Sequence, residues 1–361
     1  MIIIDGSQGE GGGQMVRTAL ALSALTGIPF RITGIRKNRP EPGLKAQHLH
    51  AVKAVMKVCG AKVEGAALGS QELVFSPGKL AAKRIEVDVG TAGSLTLLLQ
   101  SLLLPAMFAG KTSRFTLIGG TNVAWSMPVE YLQEVGVPPF RRYVEKLDVV
   151  GKKRGYYPKG GGCIEVRVRP KWFVEGSFSG FLEKFRAEAP GIDLTGRAHL
   201  MLVKGVSHAS EDLQDAHVAE RAAQAARQTL RGLKCPVEIH HEYAKTASIG
   251  SGVTLWAVFS RKDDEIDVLN PIRIGADALG EKGTRAEDVG REAAMRLLEE
   301  INSGTLVDRH LADNVVPLMG LLGRSVIQTS AITDHTRTNM SVVECFLPVK
   351  FTSEGNTIRS N

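Results

Sequence analysis

Asp5-Gly-Ser-Gln-Gly-Glu-Gly-Gly-Gly-Gln-Met-Val-Arg17 follows the apolar run Ile2-Ile3-Ile4 and leads into Thr18-Ala-Leu-Ala-Leu-Ser-Ala-Leu25. The opening of the chain therefore reads as strand, glycine-rich loop and helix. Such a loop lets bare backbone N–H groups approach an anion, and the helix that follows adds the positive end of its dipole. Glu10 is the odd member, because a carboxylate repels phosphate unless a cation lies between them. It is a candidate ligand for Mg²⁺ or Mn²⁺. The loop is not a Walker A motif, since no Gly-Lys-Ser/Thr follows, and it does not reproduce the dinucleotide-binding G-x-G-x-x-G. On spacing alone, a tight strand-to-helix turn that binds nothing is an equal reading.

The same unit recurs. Phe30-Arg-Ile-Thr-Gly-Ile35 alternates as a half-buried strand, and a helix is expected from Leu44 to Val58. A second round opens at Arg84-Ile-Glu-Val-Asp-Val-Gly90, turns at Thr91-Ala-Gly-Ser94, and continues with an apolar helix over Leu95 to Phe108 and a strand at Phe115-Thr-Leu-Ile118. A helix interrupted by Pro138-Pro139 is expected over Val129 to Leu147, before a strand from Cys163 to Arg169. Repetition of strand, turn, helix, strand, helix and further strands predicts an α/β architecture built from similar units.

Between Ser177 and Gly196 the pattern breaks. A strand from His199 to Val206, a helix over Leu213 to Leu230, strands near Val237 to Glu242 and Val253 to Phe259, and a helix from Arg285 to Ile301 read as a compact βαββα unit. The chain then returns to a helix over Leu311 to Leu322 and strands of the earlier style. The expected organisation is a large domain of residues 1–186 and 305–361, with residues 187–304 inserted into its third unit.

At 361 residues the chain exceeds what one core usually supports. Lys plus Arg exceed Asp plus Glu to give a net charge of +7, which suits a polyanionic partner such as RNA or a nucleotide. Cys59, Cys163, Cys235 and Cys345 are far apart with no Cys-x-x-Cys pair, so buried thiols in a reducing compartment are expected. With no signal peptide or transmembrane run, a cytoplasmic location without membrane attachment is expected.

Arg36, Arg39, Lys45, Gln47 and His48 crowd a Pro/Gly-rich connection, reading as an anion-facing loop or as a solvated basic one. Gln100 in an apolar helix is a satisfied core amide or a ligand contact. Tyr156-Tyr-Pro-Lys-Gly-Gly-Gly162 is a phosphate or RNA edge, or only a hairpin turn. Asp308-Arg-His-Leu-Ala-Asp-Asn314 puts His310, Asp313 and Asn314 within one turn of a helix start. Asp334-His-Thr-Arg-Thr-Asn-Met-Ser-Val-Val-Glu344, expected in the turn before the final strand, places His335 among hydroxyls and charge and not on an apolar face.

Taken together these stretches resemble one family. The opening Asp5 to Arg17 motif, Arg36-x-x-Arg39-x-x-Pro-Gly-Leu44 with Gln47-His48, Gly90-x-Ala-Gly-Ser94 with Gln100, Gly119-Gly-Thr121, Tyr157-Pro-x-Gly-Gly-Gly162, Gly280-Glu-Lys-Gly283, Leu311-Ala-Asp313 and His335-x-x-Thr-Asn339 are similar to motifs of the RNA 3′-terminal phosphate cyclases, in the family's order and over nearly the whole chain. The resemblance implies three βαβαββ-type repeats with a small α/β domain inserted in the third. It implies a reaction in which ATP and a divalent metal convert an RNA 3′-phosphate to a 2′,3′-cyclic phosphate, through AMP carried on a histidine and then on the RNA end. The histidine falls on His335. Glu10, Gln14, Arg17, Arg36, Arg39, Gln47, Gln100, His310, Asp313 and Asn314 fall on the nucleotide and phosphate site, with Glu10 holding the metal. RNA 3′-phosphate ends and ATP are the implied partners, and a homodimer is compatible with the reading.

The chain departs from the bacterial pattern at His310, where a tyrosine is expected, at Asn314, where a glutamine is expected, and before Gly280, where an aromatic is expected. A catalytically silent ribosome-biogenesis relative shares the fold but lacks the histidine. Enolpyruvyl transferases share the repeated unit but have six copies and no insert.

Overall fold

The computed structural model describes residues 1–8, 12–262, 265–267 and 272–361. The first repeat runs β1 (Ile2–Asp5), α1 (Gly13–Thr26), β2 (Phe30–Thr33), α2 (Ala46–Cys59), β3 (Lys62–Glu64) and β4 (Leu73–Ser76). In the second, β5 (Arg84–Asp88), α3 (Leu95–Met107) and β6 (Ser113–Gly119) lead to two short helices, α4 (Val129–Tyr131) and α5 (Pro138–Arg141), then β7 (Val144–Lys153) and β8 (Gly162–Pro170). After α6 (Phe178–Glu188) comes β9 (Asp193–Leu194).

From there the chain leaves the repeats for β10 (His199–Ser210), α7 (Val218–Thr229), β11 (Val237–Ala244), β12 (Ser251–Ser260), β13 (Ile272–Leu279) and α8 (Ala286–Asn302). It returns with α9 (Arg309–Leu322), β14 (Ser325–Gln328), α10 (Asp334–Phe346), β15 (Phe351–Glu354) and β16 (Thr357–Ser360).

Three sheets share one topology: β1-β2-β4-β3, β5-β6-β8-β7 and β9-β14-β16-β15. In each, the first pair is parallel and the other two are antiparallel. The fold is thus α/β, three βαβαββ repeats with an insertion between the first strand and first helix of the third. Asp193 and Leu194 pair with Val326 and Ile327, so residues 187–304 include a short strand of the third sheet, and the chain leaves that sheet only after Leu194.

The repeats bury their helices and face their sheets outward. β5 alternates outward Arg84, Glu86 and Asp88 with inward Ile85 and Val87, as a one-sided strand must. Nearly all of α1 and α3 is buried, which fits their apolar composition on every side. Each fully buried leucine of α3 contributes roughly 1.5–3 kcal/mol. α1 packs against α2, α3 and α10, and α10 packs against α9. The equivalent helices α1, α3 and α9 begin differently. Gly12 gives α1 no side-chain cap, Ser94 Oγ accepts the Leu97 N–H at 3.3 Å, and Asp308 Oδ1 accepts the N–H groups of His310 and Leu311, both at 2.9 Å.

Three expectations are corrected. The helix expected over Val129 to Leu147 is α4, a π-helical turn (Leu132–Gly136) and α5, after which Val144, Leu147 and Val149 point inward from strand β7. The insert has a further strand, β13, which pairs with β12 over its whole length. Its Gly and Ala content hides an alternating pattern. Of the cysteines, all free, only Cys59 is buried; Cys345 is exposed.

In the insert, α7 and α8 pack together beside the sheet β11-β10-β12-β13. From β13, Gly275 meets the second repeat, where a Cβ would lie 2.8 Å from Tyr131 ring carbons. Arg273 Nη1 donates to Glu134 O at 3.0 Å nearby. Burial pushes the Asp277 carboxyl up to about 7, Glu130, Asp308 and Glu292 adding to the effect and Arg296 opposing it. Folded protein therefore keeps a proton that the unfolded chain loses above about pH 4, and this group's contribution to stability falls as pH rises from there toward 7. Asp277→Asn is accordingly expected to gain melting temperature over the parent at pH 8 but much less at pH 5. An equal gain at both values would show that Asp277 does not titrate in this window. No helix among the described residues is long and apolar enough to cross a membrane.

Candidate active site

Two helix N-termini meet beside Gly12. A Cβ placed there would lie 3.5 Å from His335 Cε1 and 3.9 Å from Arg39 Nη2. Gly12 precedes α1, and His335 is the second residue of α10. The segment expected as a turn is therefore a helix, begun by Thr333, whose Oγ1 accepts the Thr336 N–H at 3.1 Å. Val342, Val343 and Phe346 bury its inner face. His335 is partly buried on its first turn, where the dipoles of both helices favour negative charge.

Next to Gly12, Gly13 has no room for a side chain, because a Cβ would lie 2.0 Å from His48 Nε2. His48 is fixed from its other side, where Nδ1 accepts the Lys45 N–H at 3.0 Å. Burial pushes its pKa down to about 3, with Arg17, Arg36 and Lys45 adding to the effect, so the ring is neutral. Gln47, one residue earlier, accepts the Ser94 N–H at 3.4 Å and thereby touches the turn that starts α3.

Arg17, one turn into α1, is buried. Its Nε donates to Gln100 Oε1 at 2.9 Å and its Nη2 to Gln14 Oε1 at 2.5 Å. Gln100 Nε2 donates to Asn314 Oδ1 at 2.7 Å, and Asn314 Nδ2 to the His310 carbonyl at 2.6 Å. A second line joins α1 to α10: Thr18 Oγ1 donates to Asn339 Oδ1, and Asn339 Nδ2 to the Asp313 carbonyl, both at 2.6 Å. Helices from all three repeats are tied here.

Burial holds Arg17 down to about 10, with Asp313 opposing, and pushes Asp313 up to about 7, with Arg17 opposing and Asp308 adding to the effect. For each of the two, burial outweighs the attraction of the other. Asp313 Oδ1 is buried with no hydrogen-bond partner among the described residues. So is Arg36 Nε. Arg36 sits on a left-handed backbone (φ 56°), and burial followed by repulsion from Arg39 lowers its pKa. Two guanidinium groups near enough to repel, one with a buried donor unmet, fit a phosphate-bearing ligand.

Of the residues expected at the site, Gln14, Arg17, Gln100, Asp313 and Asn314 form one connected group, while Arg39 and His335 share the space beside Gly12. Gln47 reaches the group through the start of α3. His310 is exposed, its ring edge-on to Tyr131 at 6.4 Å between centroids. Glu10 lies outside the described residues. Within those residues no cluster of three or more His, Cys, Asp or Glu side chains is arranged to hold a metal.

Sequence reasoning gave no role to Thr18, Asn339, Tyr131 or Asp308. Tyr131 OH donates to Asp308 Oδ1 at 2.6 Å, and Asp308 Oδ2 accepts the Gly275 N–H at 2.9 Å, so this carboxylate joins α9, α4 and the insert. A polar residue directly before an apolar helix was its only sequence signal.

The sequence profile of the RNA 3′-terminal phosphate cyclases matches residues 8–353. The chain belongs to the RNA 3′-terminal phosphate cyclase family. Among its relatives, the RNA 3′-terminal phosphate cyclase of Pyrococcus abyssi is 45% identical, the alignment covering 98% of this chain and 96% of that protein. That of Archaeoglobus fulgidus is 42% identical over 99% of both chains. That of Methanopyrus kandleri is 42% identical over 98% and 96%. With membership in the RNA 3′-terminal phosphate cyclase family comes its enzyme class, and the meeting point of α1 and α10 is its candidate active site.

Proposed function

We propose that this chain uses ATP to convert an RNA 3′-phosphate to a 2′,3′-cyclic phosphate, with His335 as the residue that carries AMP. The observation that carries the reading is the position of His335 on the first turn of α10, beside Arg39 and the start of α1. In the first step a ring nitrogen of His335 attacks the α-phosphorus, and the bond to the bridging oxygen breaks to release pyrophosphate. An oxygen of the RNA 3′-phosphate then attacks the same phosphorus, breaking the N–P bond and returning the electron pair to the imidazole. In the RNA(3′)pp(5′)A so formed, the adjacent 2′-oxygen attacks the 3′-phosphorus. AMP leaves, and the hydroxyl proton passes to solvent.

Each step develops charge on phosphoryl oxygens, which Arg17, Arg36 and Arg39 with the two helix N-termini would stabilise. Gln14 and Gln100 hold the Arg17 guanidinium in one orientation. A Mg²⁺ or Mn²⁺ ion held by Glu10 would supply further neutralisation. Dependence on the 2′-hydroxyl selects RNA over DNA ends. The reading also places the protein in the cytoplasm.

Mass spectrometry of the intact protein after incubation with ATP and Mg²⁺ tests the reading. The expected result is the added mass of one AMP, lost in acid and stable in base, and discharged by an RNA carrying a 3′-phosphate. An adduct absent under all conditions, with no cyclic phosphate formed, would overturn it.

A further inference from the structure

Two large aromatic side chains stand in solvent on loops of the second repeat. Trp125 is 99% exposed and Tyr157 76% exposed. Neither loop is slack. Asn122, three residues before Trp125, and Tyr156, next to Tyr157, bind opposite nitrogens of one buried imidazole: Asn122 Nδ2 lies 3.1 Å from His208 Nε2, and Tyr156 OH 2.7 Å from His208 Nδ1. Ser126 Oγ donates to the Val123 carbonyl at 3.0 Å, and the Lys159 N–H to Ser248 Oγ at 3.0 Å. Trp125 also takes a left-handed backbone, φ 64°, which is unfavourable for a bulky side chain. A ring held in water on a pinned and costly backbone is a candidate contact for a partner.

Both loops connect to the candidate active site. The turn of residues 91–94 lies between them, with the Ala92 N–H donating to the Pro158 carbonyl at 3.3 Å and the Gly120 N–H to the Gly93 carbonyl at 3.0 Å. The same turn ends at Ser94, whose N–H donates to Gln47. Lys153, the last residue of β7, and Lys159, two residues after Tyr157, are exposed and form no ion pair among the described residues.

We propose that Trp125 and Tyr157 form a stacking platform for the unpaired nucleotides that precede the 3′-phosphate of an RNA substrate. The platform rests on the proposed cyclase function for its substrate class, and it adds where the rest of the strand lies. Flat rings accept any base face, and exposed lysines follow the backbone, so the platform recognises single-strandedness rather than sequence. His208 acts as a positioning residue that holds both loops.

Trp172 and Trp256 are 8% and 7% exposed, which makes Trp125 the tryptophan of the three that a soluble quencher or base can reach. Titrating the protein, without ATP, with a single-stranded RNA pentamer ending in a 3′-phosphate should quench tryptophan fluorescence saturably, and the change should vanish in Trp125→Ala. Cyclisation assays should show the KM for RNA raised roughly 5- to 100-fold in Trp125→Ala and in Tyr157→Ala, with kcat much less affected and Trp125→Phe largely restored. AMP self-labelling, which needs no RNA, reports whether each variant is folded.

An unchanged KM in both alanine variants, with the parent turning over normally, would overturn the platform and leave the function standing. Failure of the parent to form cyclic phosphate would sink the function, and RNA quenching at Trp125 would then still judge the platform on its own. Fluorescence that changes with protein concentration and not with RNA would assign the ring to contact between copies and overturn the proposal.

Discussion

Replacing His335 with alanine is expected to abolish AMP labelling and to cut cyclic-phosphate formation by at least about four orders of magnitude, the loss seen when a covalent nucleophile is removed. The fold should survive, because His335 is only partly buried and the helix start depends on Thr333, not on it. RNA affinity measured without ATP should change little, since binding and bond formation use different groups. Substitution by another histidine is excluded on geometry. His48 is locked between Gly13 and the Lys45 N–H, and His310 is exposed against Tyr131. An assay with α-labelled ATP on the parent and on alanine variants at 335, 310 and 48 checks this. Label retained by the 335 variant and lost from another would move the nucleophile.

Removing the Arg154 side chain should be strongly destabilising, because it strands a buried charge. Arg154 Nη2 lies 2.7 Å from Glu130 Oε1 and 2.8 Å from Glu242 Oε1, and its side chain and that of Glu130 are 10% and 9% exposed. Burial by itself would lower the guanidinium pKa, but Glu130 and Glu242 outweigh it and the group is held above its ordinary value. In Arg154→Ala the Glu130 carboxylate remains buried with Asn122 Nδ2, at 2.8 Å, as its remaining side-chain partner among the described residues. The expected loss is about 3–5 kcal/mol. The double variant Arg154→Met with Glu130→Gln, which removes both charges, should recover most of this. Urea denaturation of the three proteins is the measurement. A single variant within about 1 kcal/mol of the parent would mean that water reaches Glu130.

Much of the fold was legible because each repeat writes itself the same way, with an apolar strand, a small-residue turn and an apolar helix. Where the chain departs from that script, the pattern failed. Strand β9 is two residues long and separated from its repeat by the whole insert, so its pairing with β14 leaves no local trace. Pro138-Pro139 marks the start of a separate short helix, but charged residues on the outward side of β7 mask the strand character that follows. Helix α10 was hidden by Thr, Asn and Ser, which favour turns when nothing packs against them. Its inner face is supplied in part by a helix far away in sequence, and Thr18 bonds Asn339 across a separation of 321.

The same limit applies to the site. Arg36 and Arg39 could be picked out by density and His335 by its polar neighbours. The alignment of Arg17 by Gln100 exists only once the first two repeats have come together, and the exclusion of any side chain at Gly13 by His48 only once α2 has packed on α1.

Triplication of one strand-to-helix step creates three equivalent sockets for negative charge, at the starts of α1, α3 and α9, yet two are plugged from within. Asp308 fills one with its own carboxylate, which takes two amides, and Ser94 another with its hydroxyl, which takes one. The first copy, opened by Gly12, has no side-chain cap among the described residues. Position is thus differentiated by subtraction: two of three equivalent helix starts in a near-symmetric scaffold carry a side-chain cap, and the one without lies beside His335.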